Sequence, residues 1–329
     1  VADGSTERAH TCAGYTAEVD FDLDAAGLLP PNLRFGCSSW KYEGWKGQIY
    51  RREYKTKKAF EAESLREYAE FPWFRAIGMD HTFYTPPRVA HLDGYVDRIP
   101  KDMVWLAKVW DRVTIPKYRN SRRYGDLAGK ENPHFLDPVL FREEFLAPFE
   151  RQDFLAHTGP FMFQFQDVYR SFGDLEEFAA RLDRFLGAIP ERHRYAIEVR
   201  TPQVLDTRYF EVLADHGATH VFNHWGTMPP LVDQMRKAAE HGGIRAGFYV
   251  ARLLTPRGLS YQRSVDRFSP YDRLQQVQPE MRRDVVRLAK RAVETGADAY
   301  ILVNNRVEGN SPRTIDALGA MIVDSLGLR

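Results

Sequence analysis

The side chains able to do chemistry in this chain stand where strand-like apolar segments stop. Tyr195-Ala196-Ile197 hands over to Glu198-Val199-Arg200. Side chains alternate along a strand with period two, so Glu198 and Arg200 share one face. A carboxylate beside a guanidinium can act as an acid or base, anchor a ligand hydroxyl, or plug a polar layer as an ion pair. Phe161-Met162-Phe163 ends in Gln164, Val104-Trp105-Leu106-Ala107 in Lys108, and Phe248-Tyr249-Val250-Ala251 in Arg252. Lys108 and Arg252 have the charge to clamp an anion, and either could hold Glu198 across a barrel. Phe74–Met79 runs into Asp80-His81-Thr82-Phe83-Tyr84, Thr219–Phe222 into Asn223-His224, Ala299–Val303 into Asn304-Asn305, and Arg34–Cys37 into Ser38-Ser39-Trp40. The asparagines offer amide donors and acceptors, or cap the strand end. Trp40, Trp45, Tyr84 and Trp110 either line a pocket or fill the core. Glu198, Lys108 and Asp80 are the catalytic candidates.

Asp80, His81, Glu198 and His224 are the residue types that hold a divalent metal at strand ends. No closely spaced His–His or His-x-Glu pair accompanies them, and a lone histidine is more often a hydrogen-bonded structural residue, so a metal is the weaker reading. There is no nucleophile elbow, phosphate loop or Cys-x-x-Cys motif. Nothing near Cys37 in sequence would activate it as a nucleophile. With Cys12 it makes two cysteines in all, too few for a disulfide framework, and both read as reduced thiols of a cytoplasmic protein.

Eight such endings require eight elements to position them. From residue 33 to the C-terminus strand-like and helix-like segments alternate, the pattern of a parallel sheet covered by helices. Asp174 with Glu177 opens a helix striped by Leu175, Phe178, Leu182, Phe185 and Leu186 and closed by Gly187. Met281, Val285, Leu288, Ala289, Ala292 and Val293 stripe another, closed by Gly296. Thr201-Pro202 and Ser311-Pro312 read as N-caps with proline in the first turn. The expected fold is α/β: a closed parallel (β/α)8 TIM-type barrel, whose eight strand endings meet at one C-terminal mouth. An open doubly wound sheet would need a Gly-rich fingerprint that is absent. Residues 1–32, ending at Pro30-Pro31, read as a partly flexible N-terminal extension, and 33–329 as the barrel. At 329 residues, 43% hydrophobic and 28% charged, the chain has the composition of an ordinary enzyme-sized protein. No apolar run is long enough to span a bilayer, and the polar start lacks the apolar core of a signal peptide.

Three long loops leave the expected mouth, at about 41–57, 110–140 and 253–279, after strands one, three and seven. Loops of that length in compact proteins are usually functional or disordered. They mix cations with aromatics: Arg51, Arg52 and Lys55 with Tyr50 and Tyr54; Lys117, Arg119, Arg122 and Arg123 with Tyr118 and Tyr124; Arg257, Arg263, Arg267 and Arg273 with Tyr261, Phe268 and Tyr271. Net charge is only +1, so the barrel would concentrate positive charge on one face rather than carry an overall excess. Such a face suits phosphates and stacked bases, or is an ordinary solvated surface.

The motifs together resemble the YecE-like proteins, the domain of unknown function 72. The family's opening Gly-Thr-Ser-Gly-Trp corresponds to Gly36-Cys37-Ser38-Ser39-Trp40, followed by Trp45, Gly47 and Tyr50. Its Glu-x-Asn-x-Thr-Phe-Tyr motif corresponds to Gly78-Met79-Asp80-His81-Thr82-Phe83-Tyr84, its Lys-to-Thr-His segment to Lys108 and Thr114 with Ile115 in place of His, and its fourth-strand Gln to Gln164. Glu-x-Arg-x-Pro is matched by Glu198, Arg200 and Pro202, the strand-seven Arg by Arg252, and the Asn-Asn ending by Asn304, Asn305, Gly309, Ser311 and Pro312. The resemblance runs from about residue 34 to the C-terminus. It implies a TIM-type barrel with its site at the mouth and no established reaction. Taken with the strand endings, the ligand-binding candidates are Trp40, Thr82, Tyr84, Thr114, Gln164, Arg200, His224, Arg252, Asn304 and Asn305. Gly78, Asp80 and Ile115 depart from the pattern and mark a divergent branch. The resulting expectation is a polar anionic ligand at the mouth, a small phosphorylated metabolite, nucleotide or single-stranded nucleic acid, hydrolysed or isomerised with Glu198 as acid or base. A glycosidase-like hydrolase using Asp80 and Glu198 is the alternative enzyme, and a non-catalytic binding protein the third reading.

Overall fold

Each of the eight apolar segments forms a strand in the computed structural model, which describes residues 21–166, 168 and 174–329. They are β1 (Leu33–Cys37), β2 (Phe74–Met79), β3 (Val104–Ala107), β4 (Phe161–Phe165), β5 (Tyr195–Val199), β6 (Thr219–His224), β7 (Phe248–Leu253) and β8 (Asp298–Val303). All pair in parallel, in the order β3-β2-β1-β8-β7-β6-β5-β4. The last gap, between β3 and β4, is bridged at isolated points: the Trp105 N–H donates to His157 O at 2.8 Å and the Val109 N–H to Met162 O at 2.9 Å. The sheet is thus a nearly closed (β/α)8 barrel with helices between its strands.

Burial on both faces explains the near-continuous apolar strands. One face of each strand packs under the helices. The other fills the lumen with Ala76, Leu106, Met162, Ala196, Val221, Phe248, Val250, Tyr300 and Leu302. Below this layer Asp298 accepts from Arg34 at 2.7 Å and Arg194 at 2.6 Å, and Arg194 also donates to the Tyr300 hydroxyl at 2.7 Å. Above it, β4, β5, β6 and β7 run one or more residues beyond the apolar pattern. Gln164, Glu198, Asn223 and Arg252 therefore lie inside strands rather than beyond them. Their polar groups face a lumen that partners them, so strand pairing continues.

The helices follow their sequence signals in part. Asp174 caps Leu175–Leu186 through the Glu176 N–H at 2.9 Å, and Pro279–Thr295 ends on Gly296 with φ 66°, a left-handed stop that suits glycine. Thr201-Pro202 opens only the short turn Pro202–Val204, with no cap from the Thr201 side chain. The helix proper, Thr207–Asp215, is capped by Asp206. At the last helix, Ser311–Ser325, the cap is Asn310, which is extended and accepts from the Arg313 N–H at 3.0 Å. Ser311 is already helical, and its hydroxyl donates to Val303 O at 3.1 Å.

Residues 1–20, Cys12 among them, lie outside the described residues. The rest of the leader holds a short helix, Leu23–Leu28, with Ala25, Ala26 and Leu29 buried. Arg75 donates to the carbonyls of Ala26, Leu29 and Pro30, supplying partners that a helix C-terminus lacks. No helix among the described residues is long and apolar enough to cross a membrane.

Candidate functional site

Parallel register decides which side chains enter the lumen, because partners side by side face the same way. Gln164 lies beside Glu198, Asn223 beside Arg252, Arg252 beside Leu302, and Lys108 beside Met162. Since Met162 and Leu302 are lumen residues, the polar set sits directly above the apolar one. Glu198 is fully buried at its centre. Its Oε1 accepts from Arg200 Nε at 2.8 Å and Nη2 at 2.6 Å, and its Oε2 from Arg252 Nη1 at 2.6 Å. Arg252 Nη2 crosses to Asp80, 2.7 Å from each carboxylate oxygen. Arg200 Nη2 also donates to Gln164 Oε1 at 2.8 Å, and its guanidinium lies 3.8 Å from the Trp225 ring centre. Between the two ends of this chain of charge, β1 presents Gly36, where a side chain would strike Ala76 O.

The electrostatics follow from that geometry. Burial pushes the Glu198 carboxyl up, but the charges of Arg252, Arg200 and Lys108 more than reverse it and hold the group at about 2. With both oxygens engaged, Glu198 is a fixed anion at neutral pH. Arg252 spends both Nη atoms on carboxylates of its own chain, where the sequence suggested a clamp for a bound anion. Its Nε has no partner among the described residues. Lys108 is different. Burial, reinforced by the like charges of Arg252 and Arg200 and opposed by Asp80 and Glu198, brings its ammonium down to about 7. Its Nζ lies 3.8 Å from the centre of the Phe83 ring. Among the described residues no carboxylate comes within ion-pairing distance of it.

The remaining candidates separate by what they touch. Thr82 Oγ1 stands 2.7 Å from the carbonyls of both Met79 and Lys108, so it fixes the backbone that carries Lys108. Asn305 Oδ1 accepts from Trp45 Nε1 and the Ser311 N–H, tying the first loop to the last helix. Asn304 Oδ1 caps the Arg306 N–H at 3.0 Å. His224 shares the register of Leu253, a residue packed under the helices, and so faces away from the lumen. It is buried, neither ring nitrogen has a partner among the described residues, and burial with the Arg257 charge holds it at about 4. The lumen residue of β6 is its neighbour Asn223, which strict alternation from Val221 would have indicated. Trp40 packs edge-on to Tyr95 and His81. Tyr84 is 58% exposed on the rim, with the Arg123 guanidinium 4.4 Å from its ring centre. Thr114 is buried beside a separate cavity of about 600 Å³, lined also by Lys117, Arg119, Asn120 and Gln166.

Among the described residues no three His, Cys, Asp or Glu side chains converge as a metal-binding group. Cys37 is buried, and burial raises its thiol pKa far above the ordinary range, which makes it inert. Part of the loop charge is neutralised within the protein. Arg123 pairs with Asp111 at 2.7 Å, and Lys117 with Glu131 at 3.6 Å.

The family model described as "Protein of unknown function DUF72" matches residues 34–326. A DUF72 family protein of Enterococcus faecalis V583 has a similar structure, with TM-score 0.55 and 13% identity over 90% of this chain and 98% of that one. A DUF72 family protein of Thermotoga maritima MSB8 gives TM-score 0.56 and 16% identity over 89% of this chain and 99% of that one. At such identities the likeness concerns the fold. A search among curated proteins finds no match.

Proposed function

The chain belongs to the DUF72 family, and from that premise we propose that it binds a small polar anion at the barrel mouth and hydrolyses or isomerises it, with Lys108 moving the proton. One observation carries this reading: Lys108 is a lumen amine held at about 7 with no carboxylate partner among the described residues, whereas both neighbouring arginines are ion-paired, Arg200 with Glu198 and Arg252 with Glu198 and Asp80. A general acid or base works best with a pKa near the ambient pH, and a buried lysine is one way to obtain it. Glu198, a fixed anion, then serves to hold Arg200 and Arg252 in place rather than to exchange protons. The glycosidase-like alternative needs one carboxyl kept protonated. Glu198, held near 2, does not supply it.

A thermal-shift panel of sugar phosphates, nucleoside monophosphates and small carboxylates, with a neutral sugar as control, tests the reading. An anionic ligand at a hundredfold excess over Kd should stabilise the wild type by about 2.7 kcal/mol. Lys108→Met should lose most of that gain while remaining folded by circular dichroism. Equal stabilisation of both proteins, or stabilisation by the neutral sugar alone, would remove Lys108 from ligand binding.

A second reading, single-stranded nucleic acid, rests on the rim. Tyr84 and Tyr261 are 58% and 50% exposed, and each carries an arginine against its ring, Arg123 at 4.4 Å and Arg306 at 4.5 Å. Exposed aromatics beside cations suit stacked bases and phosphates. Fluorescence anisotropy with a labelled oligonucleotide should then show affinity falling steeply with salt. Replacing Arg119, Arg122 and Arg123 by Ala should flatten the slope by about 0.7 for every phosphate left without its cation. An oligonucleotide that stays free at low salt excludes this reading and leaves the small anion.

A further inference from the structure

Resting on the mouth site proposed above, we propose that the Lys108 amine is a nucleophile, forming an imine with a small aldehyde or ketone that carries a carboxylate or phosphate. The placement argues for it first. Lys108 points into the lumen, is 7% exposed, and sits with the face of Phe83 on one side and two like-charged guanidiniums nearby. Those guanidiniums are fixed by Glu198, so they cannot swing away to relieve the repulsion. The Nζ has no hydrogen-bond acceptor among the described residues. The Phe83 face and the charges of Asp80 and Glu198 favour the ammonium, but burial and the two guanidiniums outweigh them, and a neutral amine leaves its lone pair free. The titration near 7 agrees, since it leaves a large neutral fraction at ambient pH.

The same lumen favours a carbonyl compound with an anionic group. Gln164 Nε2 and Arg252 Nε are buried donors with no acceptor among the described residues. Such groups call for ligand oxygens, which a carbonyl, carboxylate or phosphate provides. In the step itself, the Nζ lone pair attacks the carbonyl carbon and a C–N bond forms. The carbonyl oxygen then leaves as water, carrying away both hydrogens of the amine, and a C=N bond remains. No oxidant or further reactant is consumed. Protonated, the imine withdraws electrons from the adjacent carbon and acidifies its C–H, which is the chemistry an isomerisation requires.

Trapping tests this on the intact wild-type protein. Pyruvate, dihydroxyacetone phosphate and ribose 5-phosphate would each be incubated with it under sodium cyanoborohydride, followed by intact mass and peptide mapping. The carboxylate and phosphate arms separate the two anion classes. At pH 7, Lys108 should be reductively alkylated at least about tenfold faster than the exposed lysines, whose ordinary pKa near 10.4 leaves them almost wholly protonated. Its trapping should rise between about pH 6 and 8, through the pKa near 7, whereas the exposed lysines should rise only at higher pH. Lys108→Arg keeps the charge, cannot form the imine, and should abolish that one adduct. Adducts spread over exposed lysines with none at Lys108 would overturn the inference. If a ligand still stabilises wild type and not Lys108→Met while no adduct forms, imine chemistry fails and the proton-transfer reading survives. If no ligand acts at all, both fail.

Discussion

Arg252→Ala should lower the unfolding free energy by about 3–5 kcal/mol, the cost of breaking a buried ion pair by removing one partner. Arg252 joins Glu198 on β5 to Asp80 at the end of β2 through three hydrogen bonds of 2.6 to 2.7 Å, and both Arg252 and Glu198 are buried. Its removal leaves Glu198 with Arg200 alone, and Asp80 with no partner in this network. Urea denaturation should show the midpoint falling with the slope unchanged. Adding Asp80→Asn to Arg252→Ala should recover part of the loss, because the carboxylate left without a partner is then neutral, while the Glu198–Arg200 pair stays intact. The acid limb of stability carries the sign of the same interaction. Glu198 is held below its ordinary 4.5, so its contribution is present above that pH and is lost as pH falls towards about 2. Arg252→Ala should shift that loss to higher pH. A destabilisation under about 1 kcal/mol would class the network with exposed ion pairs, which contribute little.

The barrel was legible because its strands are buried on both faces, and apolar runs of that kind leave few other folds. Alternation along one strand placed Glu198 and Arg200 on one face. That Gln164 lies beside Glu198, and that Arg252 and Lys108 enter the same layer, depends on the register between strands, which period two alone does not give. His224 has the more attractive chemistry, but alternation from Val221 selects Asn223, and the register turns His224 outward. What an arginine does with its charge was not legible. Whether Arg252 meets a ligand or a carboxylate of its own chain depends on Asp80, 172 positions away, folding over the same mouth. The cap at Asn310 was hidden for a smaller reason: adjacent Asn310 and Ser311 compete for the cap, and only backbone dihedrals decide between them. Thr201-Pro202 marks a separate short turn, and the helix cap lies five residues on at Asp206.

Gly78→Glu, which restores the residue type of the resembled motif, should destabilise the protein rather than repair it. A Cβ at Gly78 would stand 2.8 Å from both Cys37 O and Ser38 Cα and 3.3 Å from Leu302 Cδ1. The first two contacts are backbone atoms at the end of a strand paired on both sides, which cannot yield as a flexible side chain would. Gly78→Ala isolates this clash and should cost about 1–3 kcal/mol. Gly78→Glu adds a carboxylate to a lumen where both Nη atoms of Arg252 are already engaged, and a buried charge left without a partner costs several kcal/mol more. Asp80, two residues on along the same face, holds the position from which a carboxylate reaches Arg252 without that clash. If the clash decides, freeing Arg252 should not help, and Gly78→Glu with Asp80→Asn should remain at least as destabilised as Gly78→Ala. If Gly78→Glu with Asp80→Asn instead matches wild type in urea denaturation, the two carboxylate positions are interchangeable. The divergence at Gly78 and Asp80 would then be a neutral exchange of one Arg252 partner for another, not a consequence of how closely β1 and β2 pack.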